Sequence, residues 1–149
     1  WISSSEPAMR PVTFSLVMLA LLTGRGVQAD PVVVVPARPG MERLSHEEVT
    51  NIFMGRLRAL PSGAPALPID QPKDSPLRTS FYQRLVNKDG ASINAYWSRL
   101  YFSGKATPPL QVASEAQVIQ QLLTRPGAIA YVERSQVDAR MRIVFEFPP

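Results

Sequence analysis

Cysteine is absent and histidine occurs once, at His46. Without cysteine there is no disulfide and no thiolate nucleophile, and the Cys-rich metal sets cannot be built. Charge is sparse too: Asp, Glu, Lys and Arg make up 19 % of the 149 residues, and the basic ones form no run. With Arg10, Arg25 and Glu6 in the N-terminal segment, the part from Asp30 onward holds 14 Lys+Arg against 11 Asp+Glu, a net +3. So diffuse a bias excludes a nucleic-acid footprint while remaining compatible with small anions. No Gly-x-Ser-x-Gly elbow, Walker loop or metal-ligand spacing occurs. Nothing assembles a nucleophile, a base and an oxyanion site, so the chain does not read as an enzyme, and neither a cofactor nor a metal is expected. His46 falls in the first turn of a helix, where an imidazole is ordinarily a solvated side chain.

What is present begins with a leader. Met9-Arg10 opens a short basic segment, Pro11 to Leu22 is a continuous apolar run, and Thr23 to Ala29 ends with small residues at Val27 and Ala29. This is the layout of a secretory signal peptide cleaved after Ala29. As a helix the run would be about 18 Å long, short of the roughly 30 Å hydrocarbon core, so it does not read as an anchor. Trp1 to Ala8 precede the expected start at Met9. The expected organisation is residues 1–29 as upstream residues and signal peptide, then one periplasmic domain over 30–149 that does not span the membrane. Apolar residues are 45 % of the chain, enough for a packed core.

Pro31 to Pro36 is a β-branched run bounded by prolines and reads as a strand buried on both faces. Ser45 with Glu48 forms a capping box for a helix carrying Val49, Ile52 and Phe53, with Gly55 as its stop. Leu60 to Pro68 is turn and loop, and Leu67 to Asp70 is a short strand. Ser75-Pro76 starts a helix with Leu77, Phe81, Tyr82 and Leu85 inward. Another helix runs from about Ala91 to Phe102, its Tyr96, Trp97, Tyr101 and Phe102 read as core from their helical spacing. Leu110 to Val112 is a strand, Ser114 and Gln117 a second capping box, and Val118, Ile119, Leu122 and Leu123 the inner face of the helix they start. Ala128 to Val132 and Met141 to Phe147 are strands, the last alternating like a half-exposed edge. The alternation of strands and helices predicts a single three-layer α/β/α lobe with a mixed, mostly parallel sheet of about five strands.

The segment from Asp70 to Arg78 holds the candidate site. A helix N-terminus offers free N–H groups and partial positive charge to an anion. At this one Ser75 offers a hydroxyl, Arg78 a guanidinium that can fold back one turn, and Lys73 a charge on the loop side. The plainer alternative has Ser75 as a cap only, Arg78 paired with Asp74, and Lys73 solvated. Asp70 and Asp74, flanking Lys73, read as solvated or capping loop acids.

Taken in order, four blocks carry a resemblance. They are Leu44-Ser45-x-Glu47-Glu48-Val49-x-x-Ile52-Phe53-x-Gly55; Ser75-x-x-Arg78-x-x-Phe81; Tyr96-Trp97-x-x-x-x-Phe102-x-Gly104-x-x-x-Pro108-Pro109; and Pro126-Gly127-Ala128-Ile129-x-Tyr131-Val132. Together, over about residues 31–135, they resemble the phosphate-binding, type 2 periplasmic solute-binding proteins of ABC transporters, and more narrowly their short single-lobe relatives. The resemblance implies a doubly wound lobe, a small oxyanion such as phosphate as ligand, and a membrane transporter as partner. Full-length members close two lobes around the solute; this chain has room for one, the lobe inserted in the middle of the longer proteins. The family's phosphate loop has the form Gly-Ser-Gly-Thr, of which Ser75 alone is kept; Pro76 and Leu77 stand for the Gly and Thr, and Pro76 has no N–H. The alternative is an adaptor that keeps the lobe and contacts a protein partner.

Export is expected to remove everything up to Ala29 and leave a chain beginning Asp30-Pro31. Intact-mass measurement on the periplasmic fraction checks this; a mass retaining Pro11 to Leu22 would mean a membrane-anchored protein.

Overall fold

The computed structural model describes residues 28–40 and 42–149; the leader, as far as Val27, lies outside the described residues. The elements follow in the order β1 (Pro31–Pro36), α1 (His46–Phe53), β2 (Leu67–Asp70), α2 (Pro76–Val86), α3 (Gly90–Phe102), β3 (Leu110–Gln111), α4 (Glu115–Thr124), β4 (Ala128–Glu133) and β5 (Met141–Glu146), with a 3-10 turn at Arg134–Gln136. Among the described residues no helix is long and apolar enough to cross a membrane.

The valine run of β1 sits inside the sheet and serves both faces. Val33 and Val35 join Ile129 and Tyr131 of β4 under α1, α2 and α3, which contribute Val49, Phe53, Phe81 and Ile93. Val32 and Val34 join Ala128, Ala130 and Val132 on the other face, where Val118 and Leu122 of α4 cover them. This is the three-layer arrangement, with three helices against one.

The five strands lie in the order β3-β2-β4-β1-β5. The sheet is mixed, as expected, but half of its neighbour pairs are parallel where most were expected to be. β2 runs parallel to β3 and β4, whereas β1 runs antiparallel to β4 and β5. The cause is the connection after α1. It returns the chain to the end of the sheet where β1 stopped, so that Leu67 N donates to Gly127 O at the start of β4, and β2 leaves in the opposite sense to β1. Burial on both faces therefore came from helices on both sides, independent of strand direction. In β5 the expected alternation is interrupted by an irregular register opposite Val33 and Val34, which turns both Val144 and Phe145 into the α1–α3 side of the core.

The helix starts follow the local signals. Ser45 Oγ accepts from Glu48 N (3.1 Å) while Glu48 Oε2 accepts from Ser45 N (2.8 Å). At α4 the reciprocity is offset by one residue: Ser114 Oγ accepts from Gln117 N, and Gln117 Oε1 accepts from Ala113 N rather than from the cap. Two glycines are fixed by close approach. Gly55 (φ +77°) lies under the Trp97 ring, 2.7 Å from where a Cβ would stand, and Gly127 (φ +74°) would place a Cβ 2.0 Å from Pro65 O.

Gly127→Ala should therefore cost about 3 kcal/mol or more, combining left-handed strain with a backbone clash at the β2–β4 entry. Gly63→Ala, with φ +85° but open space around it, should lose only about 1–2 kcal/mol. Urea melts of the two variants measure the difference; equal losses would remove the close contact from the explanation.

Candidate functional site

β2 ends at Asp70, and the chain turns through Gln71 to Asp74 into α2. Ser75 caps that helix, its Oγ accepting from Arg78 N at 3.4 Å. Its own N–H donates to Pro72 O, and Pro76 has no N–H. Among the first-turn donors this leaves Leu77, a residue only 6 % exposed. The anion cradle expected at this helix start is nearly used up by its own capping.

Arg78 points away from it. The side chain turns into the core, where Nε donates to Asp70 Oδ2 (3.2 Å) and Nη2 to Asn94 Oδ1 (3.2 Å), with the guanidinium 5.2 Å over the Tyr82 ring. Its partner is thus Asp70, not Asp74, and it does not fold back on the helix start. The reason is positional: Arg78, Phe81, Tyr82 and Leu85 share the buried stripe of α2. Asp70, read from sequence as a loop acid, is 4 % exposed. It accepts from Gln71 N (2.9 Å) and the Tyr131 hydroxyl on Oδ1, and from the Tyr82 hydroxyl (3.2 Å) and Arg78 on Oδ2. Gln71 Nε2 donates to Tyr131 O (2.9 Å), and the Tyr131 ring stacks on Phe81. His46 is likewise tied down rather than simply solvated: its Nε2–H donates to Leu85 O, and the ring stacks on Phe145.

Above this network opens a cavity of about 510 Å³ at the carboxyl ends of β2 and β3. Ligands in open α/β sheets sit at such strand ends. Asp70, Arg78 and Lys73 form part of its wall, Gln111 and Leu110 another part. The structure brings Lys73 and Arg78 to this one cavity and leaves Ser75 outside its wall. Helix α3 supplies a full stripe: Asn94, Trp97, Ser98 and Tyr101 follow helical spacing and all line it, with Phe102 at the edge. Here the sequence reading needs correction. Trp97 is buried, but Tyr101 is 64 % and Phe102 87 % exposed. Their spacing was that of a helix face; the face looks onto the cavity instead of the sheet. The second face of α3, with Ile93 and Trp97, packs on the core, and the Tyr96 hydroxyl donates to Met54 O.

Burial, and after it the Asp70 charge, push the Tyr82 and Tyr131 hydroxyls well above their ordinary value of 10.0. A raised folded pKa means stability is full below the unfolded value and is lost as pH climbs past it, since the unfolded chain releases those protons first. In an absorbance titration both tyrosines should stay protonated until the alkaline unfolding transition and ionise with it. Reversible ionisation of all four tyrosines near pH 10 in a folded protein would contradict the burial.

No family model matches the chain and no curated protein matches it. Solved structures do. An ABC-type phosphate transport receptor from Vibrio cholerae superposes with a TM-score of 0.60 at 14 % identity, over 78 % of this chain and 45 % of that one. A crystal structure with bound phosphate, of a Clostridium perfringens protein assigned as a phosphate ABC transporter substrate-binding protein, gives 0.61 and 14 %, over 78 % and 44 %. The chain spans less than half the length of either. Its mixed five-stranded α/β architecture is the fold these phosphate-type binding proteins contain.

Proposed function

We propose that the protein is an exported solute-binding-like domain that takes a small oxyanion, phosphate or one like it, and is not an enzyme. The observation that carries this reading is the cavity at the carboxyl ends of two parallel strands, with Lys73 and Arg78 in its wall, in a fold shared with phosphate-type binding proteins. Lys73 is exposed and has no salt-bridge partner among the described residues, so it meets the ligand as a full charge. Arg78 shares its charge with Asp70 and acts as a hydrogen-bond donor more than as a free cation. Ser75, outside the wall and engaged in capping α2, holds the helix start beside the cavity and does not touch the ligand. The domain works in the periplasm after loss of its leader and hands its solute to an ABC-type membrane transporter. A second reading, an adaptor that contacts a protein partner, rests on the exposed Tyr101 and Phe102.

One open lobe leaves the ligand wet, where charge pairs are screened. Phosphate should bind with a Kd on the order of micromolar to millimolar and weaken with salt. Lys73→Ala should weaken it several-fold in low-salt calorimetry. Arg78→Ala is a poor probe, because it strands the Asp70 carboxylate in the core at a cost of about 3–5 kcal/mol. No heat from phosphate or sulfate would favour the adaptor.

A further inference from the structure

The cavity is built for more than a compact inorganic ion. Its volume, about 510 Å³, falls inside the roughly 300–1,000 Å³ range of small-molecule pockets, which are mainly apolar with a few placed polar groups. Three aromatic residues of α3, Trp97, Tyr101 and Phe102, line it, together with Pro108, Pro109 and Leu110 at the entry to β3. Tyr101 and Phe102 meet edge to face, their centroids 5.9 Å apart, so they already form an aromatic corner. Trp97, also in the wall, keeps its indole N–H buried without a partner among the described residues.

The charge in the wall is small. Asp70 and Arg78 cancel as an ion pair, which leaves Lys73 as the one net positive group. A phosphate dianion loses a large hydration energy on binding and needs many donors to replace it. Here the neighbouring helix start has little to offer, since Arg78 N goes to the Ser75 cap, Pro76 has no N–H and Leu77 is buried. A single lysine with a few neutral donors suits one negative charge.

Resting on the anion-binding reading above, we infer that the ligand class is an organic monoanion with a planar aromatic body. The carboxylate or other singly charged head lies toward Lys73, and the ring stacks in the corner made by Tyr101 and Phe102 over Trp97. Exposed aromatics at the cavity edge then have a ligand to bury them, aromatic pairs being favourable beyond the area they cover.

The test is a calorimetric titration of the purified protein at low salt with benzoate, benzamide and inorganic phosphate, using the wild type, Lys73→Ala and the double variant Tyr101→Ser/Phe102→Ser. Benzoate should bind at least tenfold more tightly than phosphate and than neutral benzamide. The double variant, altered only at exposed positions, should lose benzoate binding about tenfold or more with an unchanged melting profile, and Lys73→Ala should weaken it several-fold. Phosphate binding as tight as benzoate, or benzoate binding unaffected by the double variant, overturns this inference while leaving the oxyanion reading in place. Benzamide matching benzoate removes the charge selection and overturns it too. Binding of none of the three overturns both.

Discussion

Taking a carboxylate out of water costs several kcal/mol unless donors replace the lost hydration. Asp70 meets that demand with four donors drawn from three elements: a backbone N–H following β2, hydroxyls from α2 and β4, and the guanidinium of α2. Because each donor is itself held, the carboxylate fixes relative positions. Tyr131 is stacked on Phe81, and Arg78 is tethered to Asn94 on α3. The end of β2, the middle of β4 and the starts of α2 and α3 are thus locked to one point. The cavity lies directly beyond that point, so its wall inherits the rigidity of a hydrogen-bonded core.

This lock has an electrostatic consequence for the cavity. A guanidinium held by a carboxylate contributes shape and directed N–H groups but little net field. The one cation of the wall not paired in this way is Lys73, on a long exposed side chain. A wall of this kind offers contact surface and hydrogen-bond geometry more than long-range attraction.

Much of the architecture could be read from residue patterns, because each element carries its own start and its own periodicity. Ser45, Ser75 and Ser114 cap the helices they were expected to cap, and the valines of β1 divide between two faces as a doubly buried strand must. Strand direction was not legible, since a loop such as that from Met54 to Ala66 can return a chain to either end of a sheet. The site was legible in part. The segment from Asp70 to Arg78 does border the cavity, but Asp70 was read as a solvated or capping loop acid and Arg78 as folding back on the helix start or pairing with Asp74, whereas both, with Gln71, are buried. A signal for this existed: Arg78 lies three, four and seven residues before Phe81, Tyr82 and Leu85, on the same buried face. What no pattern revealed is that Tyr101 and Phe102 of α3 would look onto open space. Spacing identifies a face and leaves open what lies opposite it.

The placement of β1 bears on how the chain comes into being. Its two partners, β4 and β5, are supplied by residues 128–133 and 141–146, about a hundred positions further along. The pairings of β1 are therefore long-range, the kind of topology that slows folding. Until β4 has emerged, β1 has neither neighbour, and the valine run stays unpaired. Over most of its synthesis the chain therefore carries its first strand without a sheet to hold it.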